Sequence, residues 1–235
     1  MKKTFLLPAL TGIALILAGG GASAKKQDPF QSVFAMDKAN LSDTGGSPYF
    51  RLDPGTRFFY EEGKNTLIVT ILPETKVVDG VRTRIIEERE TENGRIVEIS
   101  RNYFAADPAS GDVYYFGEEV DIYKNGKIVN HEGAWQSGIG GDRFGLYLPG
   151  RPSLGRKYYQ EFAKNAKDRA EIASLADEIK TPAGLFKSCL HIKDSSTLES
   201  ETGDKWFAPG VGMIKDDRFV LVKIEKPSAP GKTAK

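Results

Sequence analysis

The stretch that decides the fold reads VRTRIIEERETE (81–92), Asn93-Gly94 and RIVEISRNYFAA (95–106). Asn-Gly between two runs rich in β-branched residues is the strongest short signal for a hairpin with a two-residue loop. Each flanking run is long enough to extend well beyond an average strand. The stretch therefore predicts a long antiparallel hairpin.

A two-residue loop also predicts which residues face each other in this hairpin. It sets Glu92 opposite Arg95 and Arg89 opposite Glu98, which are two pairs of opposite charge. Each favourable cross-strand pair contributes roughly 0.2–1 kcal/mol. The charge pairs therefore support this register without fixing it alone.

The flanking sequence continues the same pattern of strands and turns. The Asp107–Gly111 segment, DPASG, predicts a turn, and DVYYFGEEVDIYK (112–124) predicts a third strand. TLIVTIL (66–72) precedes the hairpin, and the hairpin VGMIK–RFVLVKIE (211–225) closes the body. Together these segments predict an all-β domain over 48–225, a long-stranded antiparallel meander curved into a half-barrel or open barrel.

Residues 163–179 are the one ambiguous segment in this domain. Phe162, Ala166, Ala170 and Ala173 have nearly helical spacing, so a single minor helix is one interpretation. The surrounding β sequence favours a strand instead, from about Asp168. Both interpretations stay open here, with the strand preferred.

Charged residues are dense along the central hairpin. Ten of the twenty residues from 82 to 101 are charged, five Arg and five Glu. Such interleaved charge on strands is typical of a solvated sheet face and discourages edge-to-edge aggregation. A recognition surface for a charged partner is the alternative.

The N-terminus has the features of an export signal. Lys2-Lys3, an apolar run from Phe5 to Ala18 and the small residues GGGASA predict a signal peptide over 1–24, cleaved after Ala24. A retained N-terminal anchor is the alternative. The prediction places the mature chain in the periplasm or outside the cell, without an integral membrane span. Residues 25–47 then form a flexible lead-in, and 226–235 form a disordered tail.

Composition excludes several classes of function. Removing 1–24 takes two lysines from 33 basic residues and nothing from 32 acidic ones, leaving 31 against 32. A neutral exported chain argues against a nucleic-acid partner. With two histidines and one cysteine, no zinc-site spacing occurs, and no metal or cofactor is expected. Cys189 alone cannot form an internal disulfide.

Aromatic residues on the predicted strands are the candidate ligand-binding residues. Five of them would wall the concavity of the sheet: Phe58, Tyr60, Tyr103, Tyr115 and Trp206. Residues 131–155 contain seven glycines and predict a long loop that covers the concavity. This loop adds Trp135, Phe144 and Tyr147. The alternative is that it tucks its aromatic side chains into the core.

Two local pairs are the candidates for chemistry. Cys189 and His191 lie two apart on a predicted strand, where a nearby imidazole could lower the pKa of the thiol. Packing of a small side chain is the stronger interpretation of Cys189. His131-Glu132 lacks the second histidine of a metalloprotease helix. No catalytic residue is therefore assigned.

Several motifs resemble a group of uncharacterised exported bacterial β-rich proteins. They are YFRLDPGTRFFY (49–60), TPAGLFKSCL (181–190) and KWFAPGVGMIK (205–215), which resemble the YFPL-PGT start and closing APGVG hairpin of that group. YFRLDPGTRFFY also has a weak internal counterpart at 148–159, which suggests a duplication. More loosely, long antiparallel strands after an export signal resemble the LolA/LppX-like half-barrel carriers of the envelope. That resemblance implies an apolar ligand or lipid, or a protein partner, held in a concavity.

The sequence thus favours a non-catalytic binding module of the cell envelope that holds an apolar ligand or a protein partner. An envelope enzyme using His131/Glu132 or Cys189/His191 is the second hypothesis. A structural envelope component that pairs by its sheet edges is the third.

Overall fold

The computed structural model describes residues 28–198, 200 and 202–227. The predicted signal peptide, 1–24, and most of the predicted tail, 228–235, lie outside these residues. Within them, the regular structure consists of one 3-10 turn at Lys38–Asn40 and seventeen β-strands. In chain order the strands are β1 (Gly46–Ser47), β2 (Phe50–Arg51), β3 (Arg57–Glu62), β4 (Asn65–Val78), β5 (Val81–Glu92), β6 (Arg95–Ala106), β7 (Val113–Lys124), β8 (Lys127–Asn130), β9 (Trp135–Gln136), β10 (Arg143–Leu148), β11 (Lys157–Tyr159), β12 (Glu161–Phe162), β13 (Asp168–Thr181), β14 (Gly184–Ser196), β15 (Thr202–Ala208), β16 (Gly212–Asp216) and β17 (Phe219–Glu225).

Thirteen of these strands form one antiparallel sheet that curves into a nearly closed barrel. Two meanders, β3 to β7 and β13 to β17, make up most of it, and β17 pairs with β3 to join them. The short strands β8 and β9 pair with β7 beside this path. The predicted all-β fold, with a long-stranded meander curved into a barrel, is confirmed.

One short stretch, 157–162, brings the two ends of the sheet together. Its first half, β11, pairs with β13, and its second half, β12, pairs with β10. The amide of Gln160, between the two halves, donates a hydrogen bond to the carbonyl of Asp168 at 2.8 Å. A single piece of chain therefore occupies both ends of the sheet path.

The ambiguous segment 163–179 is a strand from Asp168, as predicted. β13 pairs with β14 along its whole length, from Asp168 opposite Ser196 to Thr181 opposite Gly184. Ala170 and Ile172 are fully buried on one face. Alternating burial in a sheet environment outweighs the helical propensity of the alanines.

Residues 28–47 belong to the segment that the sequence predicts to be a flexible lead-in. In the structure they pack on the barrel. The ring of Phe34 contacts that of Tyr114, with centroids 6.0 Å apart. Ser42 and Ala106 exchange two backbone hydrogen bonds of 2.8 Å. Asp43 forms an ion pair with Arg84, a residue of β5.

The backbone repeats one arrangement in the two meanders. In the first, the Gly55 amide donates to the Ile71 carbonyl at 2.8 Å, and the Ile71 amide donates to the Thr56 carbonyl at 3.0 Å. In the second, the same bonds have the same lengths and join Gly155, Arg156 and Ile172. Both glycines have positive φ, +84° and +77°, which favours glycine. These matching bonds support the internal duplication suggested by the sequence.

The central hairpin departs from the predicted register after its first pairs. Glu92 faces Arg95 as predicted, but a β-bulge at Val97 then shifts the pairing by one residue. Glu90, not Arg89, faces Glu98, and the predicted attractive pair is replaced by two like charges. The bulge also decides which residues of this hairpin face the barrel interior.

Candidate functional site

The barrel contains a cavity of about 90 Å³ that opens to solvent. Side chains of β3, β4 and β5 form much of its wall, because alternate residues of a strand face the same side of a sheet. Its apolar lining includes Phe58, Val69, Ile71, Ile86, Met213 and Ile224. The polar side chains of Arg51, Asp53 and Lys226 lie at the lining too, at exposed positions.

An aromatic cluster adjoins this cavity. The Tyr147 ring lines the cavity and lies 4.9 Å from the ring of Phe104 and 4.8 Å from that of Phe50. Phe104 stacks on Tyr115 at 4.8 Å, and Trp135 meets the edge of Tyr115 at 5.3 Å. Phe50 and Phe104 are not among the candidate ligand-binding residues predicted from the sequence, because their motifs mark turns and strands and not the face that each side chain occupies.

The Tyr115 hydroxyl and the Trp135 indole N–H of this cluster differ in whether they have a hydrogen-bond partner. The Tyr115 hydroxyl donates to the Asn102 side-chain oxygen at 2.6 Å. The Trp135 indole N–H is buried and has no hydrogen-bond acceptor among the described residues. A buried donor without an acceptor is costly, so this N–H is available to a polar atom inside the barrel.

Five of the eight predicted aromatic residues face the interior. Phe58, Tyr60 and Tyr147 line the cavity, and Tyr115 and Trp135 belong to the adjoining cluster. Tyr60 is fully buried, and its hydroxyl donates to the Met213 carbonyl at 2.8 Å. The structure therefore brings these five side chains together.

The other three lie on the opposite face of the sheet, so the prediction that they wall the concavity is wrong. Tyr103 follows Asn102 on β6 and so points away from it; its ring lies 4.6 Å below the Lys76 ammonium. Phe144 stacks on Phe116 at 4.9 Å. Trp206 follows the inward-facing Lys205 on β15 and so points to the outer face. There its ring stacks on that of His191, with centroids 4.4 Å apart.

The predicted covering loop, 131–155, contributes two strands to the sheet. It contains β9 and β10, which both pair with β7. Its Trp135 and Tyr147 side chains complete the interior, as the alternative interpretation predicts. The loop does not lie across the cavity as a separate lid.

Acidic side chains gather on the inner wall. Glu88 lines the cavity, and Glu90 lies two residues further along β5 on the same face. Burial and the facing carboxylate of Glu98 raise the pKa of Glu90 to about 7. Asp216 of β16 interacts electrostatically with Glu88 although four steps of the sheet separate their strands. The two carboxylates therefore face each other across the interior.

One buried ion pair lies on this wall. Lys205 of β15 contacts the carboxylate of Asp194 on β14, and both side chains are largely buried. Burial alone would lower the pKa of Lys205, but Asp194 and Asp216 raise it well above its usual value. The lysine is therefore held in its charged form between two carboxylates.

Replacing Glu90 with glutamine is expected to stabilise the protein by about 2 kcal/mol at pH 8 and to have little effect at pH 4. The folded protein binds the Glu90 proton more tightly than the unfolded chain does. The contribution of protonated Glu90 to the stability of the wild type is therefore fully present below the ordinary glutamate pKa. It is lost as the pH rises toward about 7, the pKa of Glu90 in the folded protein. Chemical denaturation of both proteins across this pH range measures the difference.

Glu61→Gln is the matched control, because Glu61 is an exposed glutamate on another strand of the same sheet, β3. We expect its effect to stay within about 0.5 kcal/mol at every pH, as is usual for surface positions. Equal pH dependence of the Glu90→Gln protein and the wild type would contradict the assignment of a raised pKa to Glu90.

The two candidate pairs for chemistry occupy separate and dissimilar places. His131 is mostly exposed, and its Nδ1 lies 2.8 Å from the Val120 carbonyl and 3.0 Å from the Asp121 carboxylate. The neighbouring Glu132 is exposed as well, and its backbone amide donates to Asn130 at 3.0 Å. These contacts hold the imidazole on the outer surface.

Cys189 and His191 do not form an activated pair. Cys189 is fully buried, and burial raises the pKa of its thiol, whereas a nucleophilic cysteine needs a lowered one. The His191 ring stacks on Trp206 at 4.4 Å, and its Nε2 lies 2.6 Å from the Asp204 carboxylate. Packing, the stronger sequence interpretation of Cys189, agrees with this arrangement.

Two kinds of feature are absent from the described residues. Across residues 28–198, 200 and 202–227, no group of three or more His, Cys, Asp or Glu side chains is arranged to hold a metal ion. In the same part of the chain no helix has the length and apolar character needed to cross a membrane.

Comparisons with known proteins give little. No protein-family model matches the chain, and no curated protein matches it. A crystal structure of a "putative lipoprotein" from Parabacteroides distasonis ATCC 8503 aligns with 78% of this chain and 100% of its own, at 15% identity and a TM-score of 0.36. That similarity is too low to support an argument about function.

Proposed function

We propose that this protein is an exported, non-catalytic binding module of the cell envelope that holds a small apolar or amphipathic molecule inside its barrel. The observation that carries the proposal is the cavity of about 90 Å³, whose lining is mostly apolar. Ligand sites are typically concave and mostly apolar, with a few polar groups that orient the ligand. The signal-peptide pattern of residues 1–24 supports the location.

The arrangement of polar groups favours binding over catalysis. Tyr60 and Tyr147 line the cavity, and burial raises the pKa of both hydroxyls, so they stay protonated at neutral pH. The two histidines, by contrast, lie on the outer face with partners of their own. The interior thus supplies hydrogen-bonding groups and apolar contact rather than a base beside a nucleophile.

The pairing of the sheet argues against a structural component that associates by its edges. Residues 157–162 pair with both end strands of the sheet path, so part of each edge is already paired within the chain.

Native mass spectrometry of protein purified from its own host tests the proposal. We expect the wild type to retain excess mass that unfolding releases. Replacing Val69 with tryptophan fills part of the cavity and is expected to abolish the retained mass, because Val69 is buried in its wall. Overpacking of this kind costs about 1–3 kcal/mol, so thermal unfolding checks that the variant remains folded.

Ile68→Trp is the control for this variant. Ile68 precedes Val69 on β4, so its side chain points to the other face of the sheet. The same bulk is added there without entering the cavity, and retained mass should match the wild type. A wild-type protein with a clean apo mass and no affinity for apolar probes would refute the proposed function.

A further inference from the structure

The cavity wall carries one charged side chain away from its exposed mouth, that of Glu88. At the mouth, Arg51 and Asp53 pair with each other at 3.0 Å, and both are about half exposed. Glu88 instead lies on the inner wall, opposite Val69 on β4 and Ser100 on β6. An apolar pocket with one inward carboxylate is suited to a ligand that combines an apolar part with a cation.

No counter-ion is assigned to Glu88 within the described part of the chain. None of the ion pairs formed by residues 28–198, 200 and 202–227 includes it. Lys205 lies close enough to interact with Glu88 electrostatically, but its ammonium contacts Asp194. Removing a carboxylate from water without a paired cation is unfavourable. A cationic group entering the cavity would supply the missing partner.

The surroundings of Glu88 are acidic on more than one side. Asp216 on β16 and Glu98 on β6 both act to raise its pKa, in addition to burial, and Lys205 acts in the opposite direction. Tyr60 on β3 interacts with the same carboxylate. The inner wall near Glu88 therefore carries an excess of negative charge, which a cation reduces and an anion would increase.

We propose that the cavity ligand is a cationic amphiphile, an amine whose ammonium group pairs with Glu88 and whose apolar tail lies along Phe58, Val69 and Ile71. This inference rests on the proposed function and specifies its ligand class. Fatty acids and other apolar anions are disfavoured by the same wall. An ammonium beside Glu88 favours the charged form of its carboxyl group, so the bound amine lowers the pKa of Glu88.

Isothermal titration of the full chain with n-octylamine, n-octanol and octanoate tests the ligand class, because these probes share a tail and differ in head group. At pH 8 we expect octylamine to bind at least tenfold more tightly than octanol, and octanoate to bind most weakly. Tenfold corresponds to about 1.4 kcal/mol, a modest value for a charge-assisted contact away from bulk water. Glu88→Gln should bring octylamine and octanol within about twofold of each other.

Glu87→Gln is the matched control, because Glu87 precedes Glu88 on β5 and points to the other face, where it pairs with Arg101. It removes the same charge from the protein and should preserve the preference for octylamine. The wild type gives a second measurement that needs no variant. Its affinity for octylamine should rise as pH increases from 5 to 8, while its affinity for octanol stays constant.

The outcomes separate this inference from the proposed function. Equal affinity for octylamine and octanol in the wild type, or an unchanged preference in Glu88→Gln, would overturn the inference. The proposed function would still stand if Val69→Trp abolished octanol binding. If no probe bound and host-purified protein carried no excess mass, both would fall.

Discussion

Replacing Arg84 with methionine is expected to lower the free energy of unfolding by about 3–5 kcal/mol, because it breaks a buried ion pair and leaves its partner uncompensated. The Arg84 side chain is 5% exposed. Its Nη2 donates to the Asp43 carboxylate at 2.6 Å, its Nε to the Asp43 carbonyl at 3.0 Å, and its Nη1 to the Pro73 carbonyl at 2.7 Å. Equilibrium denaturation in urea measures the loss.

Arg82→Met separates this effect from simple loss of a charge. Arg82 contacts the same carboxylate at 3.0 Å, but its side chain is 69% exposed, so we expect a loss below about 1 kcal/mol. Hydrogen exchange gives a local readout: the Ser42 amide, bonded to Ala106, should lose protection in Arg84→Met and keep it in Arg82→Met. Similar losses in both variants would contradict the role assigned to the buried pair.

The second large effect is expected from replacing Lys205 with methionine. The change leaves Asp194 buried and facing Asp216 without the cation between them, and should cost about 3–5 kcal/mol at pH 7. Burial raises the pKa of Asp194, so lowering the pH toward 4 favours its neutral form and should recover much of this loss. Urea denaturation at both pH values tests the sign as well as the size.

Lys193→Met serves as the control for Lys205→Met. Lys193 neighbours Asp194 on β14 but is exposed on the outer face. Its replacement should change stability by less than about 0.5 kcal/mol. A loss in Lys205→Met that is independent of pH would mean that lost packing, not the unpaired Asp194, causes the destabilisation.

The sequence predicts the framework of this fold well because turns are encoded locally. Asn93 and Gly94 both have positive φ, as a two-residue hairpin loop of this kind requires, and Asn125 and Gly126 repeat the conformation. Asp168, at the start of β13, was also placed correctly, because the strand context outweighed helical propensity. Local chemistry and period-two burial are readable without any knowledge of distant contacts.

The face that each side chain occupies could not be read in the same way. A bulge changes which residues along a strand face the interior. The bulge at Val97 has no sequence signature, because it replaces an attractive charge pair with Glu90 facing Glu98. The charged run that predicted a solvated face therefore sends some of its carboxylates inward. Tyr103 and Trp206 were assigned to the interior because aromatic character does not reveal which side of a sheet a residue occupies.

The pairing of β17 with β3 has a consequence for how the chain reaches its final form. The last strand of the body closes against the first, so no ribosome-bound or partly exported intermediate can complete the barrel before residues 219–225 are available. Contacts between strands so distant in sequence are formed late and slowly, since a large loop entropy opposes them. The architecture thus delays its own completion until the end of the body is available to pair.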